Sequence, residues 1–136
     1  MLLMTLLTIA GTLAASGEKR VQPTANPSAA NPSEAVVIRF RTRETLDGVY
    51  SVEAHGAVKI ANCPSVQSRR VKAPKKGHDV RLRVLPPRID GERRWCAGDY
   101  RATVYFKQTV RCPRGASCGD SAEVPIGSTK FTVKSD

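Results

Sequence analysis

The chain has 136 residues, with 22 Lys and Arg against 12 Asp and Glu, giving a formal charge of +10. Hydrophobic residues make up 40% and aromatics 5%, and there are 9 Pro and 4 Cys. That length allows a single domain. The apolar content argues against a wholly disordered chain, no apolar run reaches the ~18–20 residues of a polytopic membrane span, and the chain is small for a cofactor-holding sheet with helices on both faces.

Residues 1–16 read as a signal peptide. Leu2 to Ala15 are apolar or small and uncharged, a length suited to a signal-peptide core and short for a bilayer crossing. Cleavage after Ala14 or after Ser16 satisfies the small-x-small rule. No Lys or Arg precedes the run, while Lys19 and Arg20 follow it. That departs from the usual charge bias, so an uncleaved anchor and a buried helix stay open beside the cleaved leader. The expected setting is secreted, extracellular or cell envelope, with no stable membrane span after cleavage.

Residues 17–34 carry Asn-Pro-Ser twice, at Asn26–Ser28 and Asn31–Ser33. The segment has little to bury, and its prolines lack donors. Composition predicts a disordered Pro/Ala/Ser/Asn-rich tether, followed by one folded domain over 35–136.

In that domain the apolar period is two. Val36, Ile38 and Phe40 alternate with Val37, Arg39 and Arg41. The same pattern recurs at Val80–Val84, Tyr100–Lys107 and Lys130–Lys134, with shorter pieces at Val49–Ala54, Val58–Ala61 and Glu123–Ile126. Turn signals separate them, among them Asp47-Gly48, His55-Gly56, Pro86-Pro87, Asp90-Gly91 and Gly115–Gly119. About seven short strands without a capped amphipathic helix predict an all-β fold, an antiparallel β-sandwich or small barrel.

Four cysteines in an exported domain predict two disulfides. Of the three pairings, Cys112–Cys118 with Cys63–Cys96 is favoured. The first closes a five-residue hairpin loop that contains Gly115. The second clamps a loop ahead of the Val80 strand to the entry of the Tyr100 strand, and a closure of that length contributes ~3 kcal/mol through the unfolded chain. A zinc site with His55 or His78 is the rival, but no C-x₂-C pair is present.

The segment Trp95-Cys96-Ala97-Gly98-Asp99-Tyr100-Arg101-Ala102-Thr103-Val104 resembles the late strand of small secreted bacterial immunoglobulin-like and fibronectin-type-III-like β-sandwich proteins. The resemblance favours the sandwich over the barrel and implies an immunoglobulin-like one, with Tyr100 packed near a sheet corner. It names no activity. No cysteine lies two residues after Tyr100, so the inter-sheet disulfide of immunoglobulin domains does not carry over.

No nucleophile elbow, zinc-protease motif or phosphate-binding loop is present, and no cofactor is implied. The acids Asp47, Asp90 and Asp120 are explained by turn chemistry, and both histidines by solvated loops. Trp95, between Arg94 and Cys96, fits either a stacking platform beside cations or, preferably, a core-edge ring against a disulfide.

The basic residues carry more. Arg69, Arg70, Lys72, Lys75 and Lys76 form one basic loop, and Arg93 and Arg94 a second. Arg39, Arg41, Arg81, Arg83, Arg101, Lys107, Lys130 and Lys134 occupy outward strand positions. Residues 35–136 hold 20 basic and 10 acidic residues and so carry the whole +10. The leading expectation is a secreted, non-catalytic binding or structural module that engages an anionic polymer or acidic protein surface through those cations. Nucleic acid is disfavoured for want of a stacking series. The alternative is a secreted protease inhibitor presenting Arg114 on the Cys112–Cys118 loop, and a small hydrolase is the third.

Overall fold

The computed structural model describes residues 20–42, 47–57, 63–74, 79–116, 118–119 and 121–135. The leader at 1–16, the Val58–Ala61 strand piece, Lys75, Lys76 and His78 lie outside the described residues. Among those described, all regular structure is β, in eleven strands: β1 (Thr24–Asn26), β2 (Ala29–Ala30), β3 (Val36–Arg41), β4 (Gly48–Gly56), β5 (Val66–Gln67), β6 (Val71–Lys72), β7 (Asp79–Val84), β8 (Arg88–Ile89), β9 (Glu92–Arg93), β10 (Gly98–Gln108) and β11 (Glu123–Val133). The count exceeds the expected seven because six strands are two or three residues long, too short to show a period.

Two sheets form. One has the order β1-β3-β7, the other β2-β11-β10-β4-β5, with β6 also on β4, and β8 and β9 make a separate hairpin. The sheets curl as a half-barrel instead of the clear immunoglobulin-like sandwich that the resemblance implies. Successive side chains in a strand point to opposite faces, so the period-two pattern gives each sheet a dry face and a wet one. In β7, Val80, Leu82 and Val84 are buried, whereas Asp79, Arg81 and Arg83 are exposed.

The dry faces share one core. Phe40 of the first sheet meets Tyr50 of the second edge-on, with ring centroids 5.1 Å apart, and Tyr50 leans on Phe106. At the other end Tyr100 and Phe131 stack at 5.2 Å, with Trp95 edge-on to both. Each such pair adds ~0.5–1.5 kcal/mol beyond its buried area. Burial raises the Tyr50 and Tyr100 hydroxyl pKa above the ordinary phenol value.

Glu123–Ile126 and the Phe131 segment belong to a single strand. A bulge between Val104 and Tyr105 of β10 leaves Ile126 of β11 without a cross-strand partner. Prolines inside sheets concentrate at edges and bulges, and Pro125 stands beside this bulge. The bulge shifts the apolar phase, which is why the two halves read as separate pieces.

The segment 17–34 is not a free tether over its described part, from Arg20. Val21 N–H donates to the Ile126 carbonyl. β1 pairs antiparallel with β3, and β2 pairs parallel with β11. A cis Asn26-Pro27 bond lies between them. Ala30 is fully buried. The Trp95 backbone N–H donates to the Pro32 carbonyl and its indole Nε1–H to the Glu34 carbonyl, both at 2.7 Å. The folded body therefore reaches back past the expected start at Ala35.

Both disulfides have the expected pairing. Cys63 bonds Cys96 across 33 residues, and Cys112 bonds Cys118 within the β10–β11 loop. Asp90 and Gly91 both have positive φ, 53° and 82°, the backbone of a tight two-residue hairpin turn between β8 and β9.

Candidate functional site

The sequence-derived basic loops fall in two places. Arg69 and Arg70 occupy the turn from β5 to β6, and Lys72 ends β6, so this group borders β4 in the second sheet. Arg93 ends β9 and Arg94 follows it, in the hairpin that forms its own small sheet. All five are exposed. Three already have partners: Arg70 pairs with Glu123 at 3.4 Å, Arg94 with Asp90 at 4.0 Å, and the Arg93 guanidinium donates to the Pro86 carbonyl at 3.1 Å. Exposed pairs of this kind hold weakly, at ~0–1 kcal/mol.

The strand-face arginines come together more closely. In the first sheet the ladder sets Val37 opposite Arg83, Arg39 opposite Arg81 and Arg41 opposite Asp79. Four guanidinium groups thus form a diagonal band, from Arg83 on β7 to Arg41 on β3, with one carboxylate at its corner. The other outward residues of this sheet are Val37 and, on β1, Thr24 and Asn26. Asp79 bonds Arg41 Nε at 3.0 Å and Arg39 at 3.5 Å. The hydrogen bond from Arg41, and then the charges of Arg41 and Arg39, hold its carboxyl below the ordinary carboxylate range. Arg81 and Arg83 have no acidic partner among the described residues. Like charges directly opposite across a ladder disfavour pairing, so Arg39 and Arg81 are held together against their own repulsion.

The wet face of the second sheet is mixed. Lys107 stands opposite Glu123, Thr103 opposite Glu53, and Arg101 lies between His55 and Lys130. His55 is thus a half-buried strand residue, not the turn residue expected. Asp99 accepts a hydrogen bond from the Thr132 hydroxyl at 2.9 Å. A shallow depression of ≈ 240 Å³ on this side is lined by Val49, Arg70, Lys107, Gln108, Thr109, Val110 and Ser121.

Trp95 is only 2% exposed, which removes it as a stacking platform and leaves it as a core ring. The cysteines are all consumed in disulfides, so none supplies the thiolate that a zinc site with His55 or His78 needs. Arg114 is exposed in a turn closed by Ala116 N–H donating to the Pro113 carbonyl, with Gly115 at φ 84°. The arginine band across β3 and β7 could not be assembled from sequence, because its geometry depends on the register of two strands about 40 residues apart. Compared with family models, curated proteins and solved structures, the chain matches none.

Proposed function

We propose that the protein is a secreted, non-catalytic binding module that engages an anionic extracellular or cell-envelope partner through its basic surface. The observation that carries this reading is the arginine band on the wet face of the β1-β3-β7 sheet, where four arginines have Asp79 as the one acid beside them among the described residues. A surface serving solubility alone has no need for that arrangement, since interspersed charge does as well. The exposed cations Arg69, Arg70, Lys72, Arg93 and Arg94 add long-range attraction. Two disulfides suit an oxidising compartment.

The immunoglobulin-like reading has support from strand order. In immunoglobulin domains strands A, B and E share one sheet, and G, F and C, with C′ in variable-type domains, share the other. The orders β1-β3-β7 and β11-β10-β4-β5 run in parallel with these. The Tyr100 hydroxyl accepts the Cys96 backbone N–H at 3.1 Å, four residues upstream, much as the corner tyrosine of such domains bonds upstream backbone. Domains of this architecture bind partners in many unrelated ways, so strand order favours a module without naming its ligand.

The inhibitor alternative is less well supported. A protease cleft takes its substrate as an extended strand, whereas Arg114 sits in a closed turn. The test is a binding panel of the disulfide-bonded protein against anionic polymers across a salt titration. Affinity should fall steeply as salt rises. Absence of binding at low ionic strength, or indifference to salt, overturns the reading.

A further inference from the structure

The composition of the arginine band narrows the anion it suits, a step that rests on the anionic-partner reading above. All four of its cations are arginine. A guanidinium fork engages two oxygens of one oxyanion, whereas an ammonium acts as a point charge. Among the described residues, no aromatic ring stands on this face. That removes the stacking by which single-stranded nucleic acids hold their bases and the apolar ring faces on which sugars settle. Contact is left to the anionic groups of the ligand backbone.

Spacing adds a second restriction. Alternate residues on one strand lie ~6.6 Å apart, which is the separation of Arg81 from Arg83 and of Arg39 from Arg41 along their strands. Three backbone bonds of an extended chain span ~3.3–3.6 Å, so a six-bond repeat spans ~7 Å. Phosphates joined by a three-carbon polyol are six bonds apart, and so are those of a nucleic acid, so spacing excludes shorter repeats and the ring-free face is what turns the choice toward a polyol spacer. In inorganic polyphosphate the repeat is two bonds, less than half the arginine spacing. The two guanidinium groups turned toward Asp79 leave Arg81 and Arg83 as the open end of the band.

We propose that this band binds a linear phosphodiester polymer with three-carbon polyol spacers, with Arg81 and Arg83 gripping consecutive phosphates and Arg39 and Arg41 continuing the track. The experiment measures binding of the purified protein to synthetic poly(glycerol phosphate), duplex DNA, inorganic polyphosphate, heparin and polyglutamate. It uses R81S/R83S and, as a charge-matched control on the other sheet, R101S/K130S. Circular dichroism and a thiol count confirm that both variants fold with their disulfides.

The expected result is tightest binding to poly(glycerol phosphate). It should weaken about tenfold or more in R81S/R83S, with a log K versus log salt slope shallower by ~1.4, and change less than about threefold in R101S/K130S. Equal losses in the two double variants overturn the assignment to this face. Equal or tighter binding of duplex DNA, inorganic polyphosphate, heparin or polyglutamate overturns the polyol-phosphate identity and leaves the broader reading standing. No binding to any of the five at low salt overturns both.

Discussion

The wet faces of the two sheets begin from the same sequence pattern, basic residues alternating with buried apolar ones, and end differently. On the second sheet, Glu53, Asp99 and Glu123 are interspersed with Lys72, Arg101, Lys107 and Lys130; Lys107 stands opposite Glu123, which pairs with Arg70. Its middle positions, such as Ser51, Thr103 and Tyr105, are half-buried. On the first sheet, Asp79 is the one acid among the described residues of a face with four arginines, and Arg39 stands opposite Arg81 much as Arg101 stands opposite Lys130 on the second. Net charge is therefore a poor guide to where a field is strong. Register decides it, by placing anions among the cations or leaving them out.

The largest perturbation removes the scaffold that keeps the two faces apart in character. Trp95→Ala loses a ring packed on Tyr100 and Phe131 of the second sheet, together with the hydrogen bond to the segment that leads into β3. A buried Trp-to-Ala change costs ~3–5 kcal/mol. Denaturant unfolding should show a lower midpoint with the same slope. An unchanged midpoint would mean that the ring carries no such weight.

A narrower break targets the N-terminal segment. A Cβ at Gly127 would run into the Val21 carbonyl and crowd Pro23, so Gly127→Ala should destabilise by ~1–3 kcal/mol. Amide exchange should quicken at Val21 and along β1, while β10 stays protected. Uniform acceleration would contradict a local effect.

Arg81→Glu sharpens the contrast most directly. It turns the like-charge pair with Arg39 into an attractive one, worth ~0.2–1 kcal/mol. Thermal stability should hold or rise while polyanion affinity falls about tenfold. A variant that loses stability and affinity together would argue that the arginine serves the fold.

The smallest effect concerns Asp79. Its folded pKa lies below the unfolded value of ~3.9. Its contribution is therefore present above that unfolded value and is lost as pH falls through the lower folded one. Asp79→Asn should remove this acid-side dependence from a melting-temperature profile and raise polyanion affinity at neutral pH. An acid limb identical to that of the unmodified protein would refute the role.

Much of the fold was readable because period two is a strong signal. β3, β7 and most of β10 follow the alternation of Val36–Arg41, Val80–Val84 and Tyr100–Lys107. The Cys112–Cys118 pair followed from loop length and Gly115. The N-terminal segment was missed for a physical reason. It is held by the Pro32 and Glu34 carbonyls, by small Ala30 and by short pairings, and none of these makes a hydrophobic pattern. The arginine band was half legible. Alternation turns Arg39 and Arg81 outward, but only the β3–β7 pairing sets one against the other.

The crossing of the N-terminal segment from one sheet to the other has a mechanical consequence. β2 runs parallel to the end of β11, with the Thr132 and Lys134 amides donating to the Ser28 and Ala30 carbonyls at 2.9 Å. Traction on Arg20 and Ser135 in opposite directions pulls these parallel strands past each other. The rungs share that load instead of opening one after another. Upstream, β1 and the Val21–Ile126 bond carry the same traction into both sheets. A module gripping a polymer on one face while held from its ends would be secured where it is pulled.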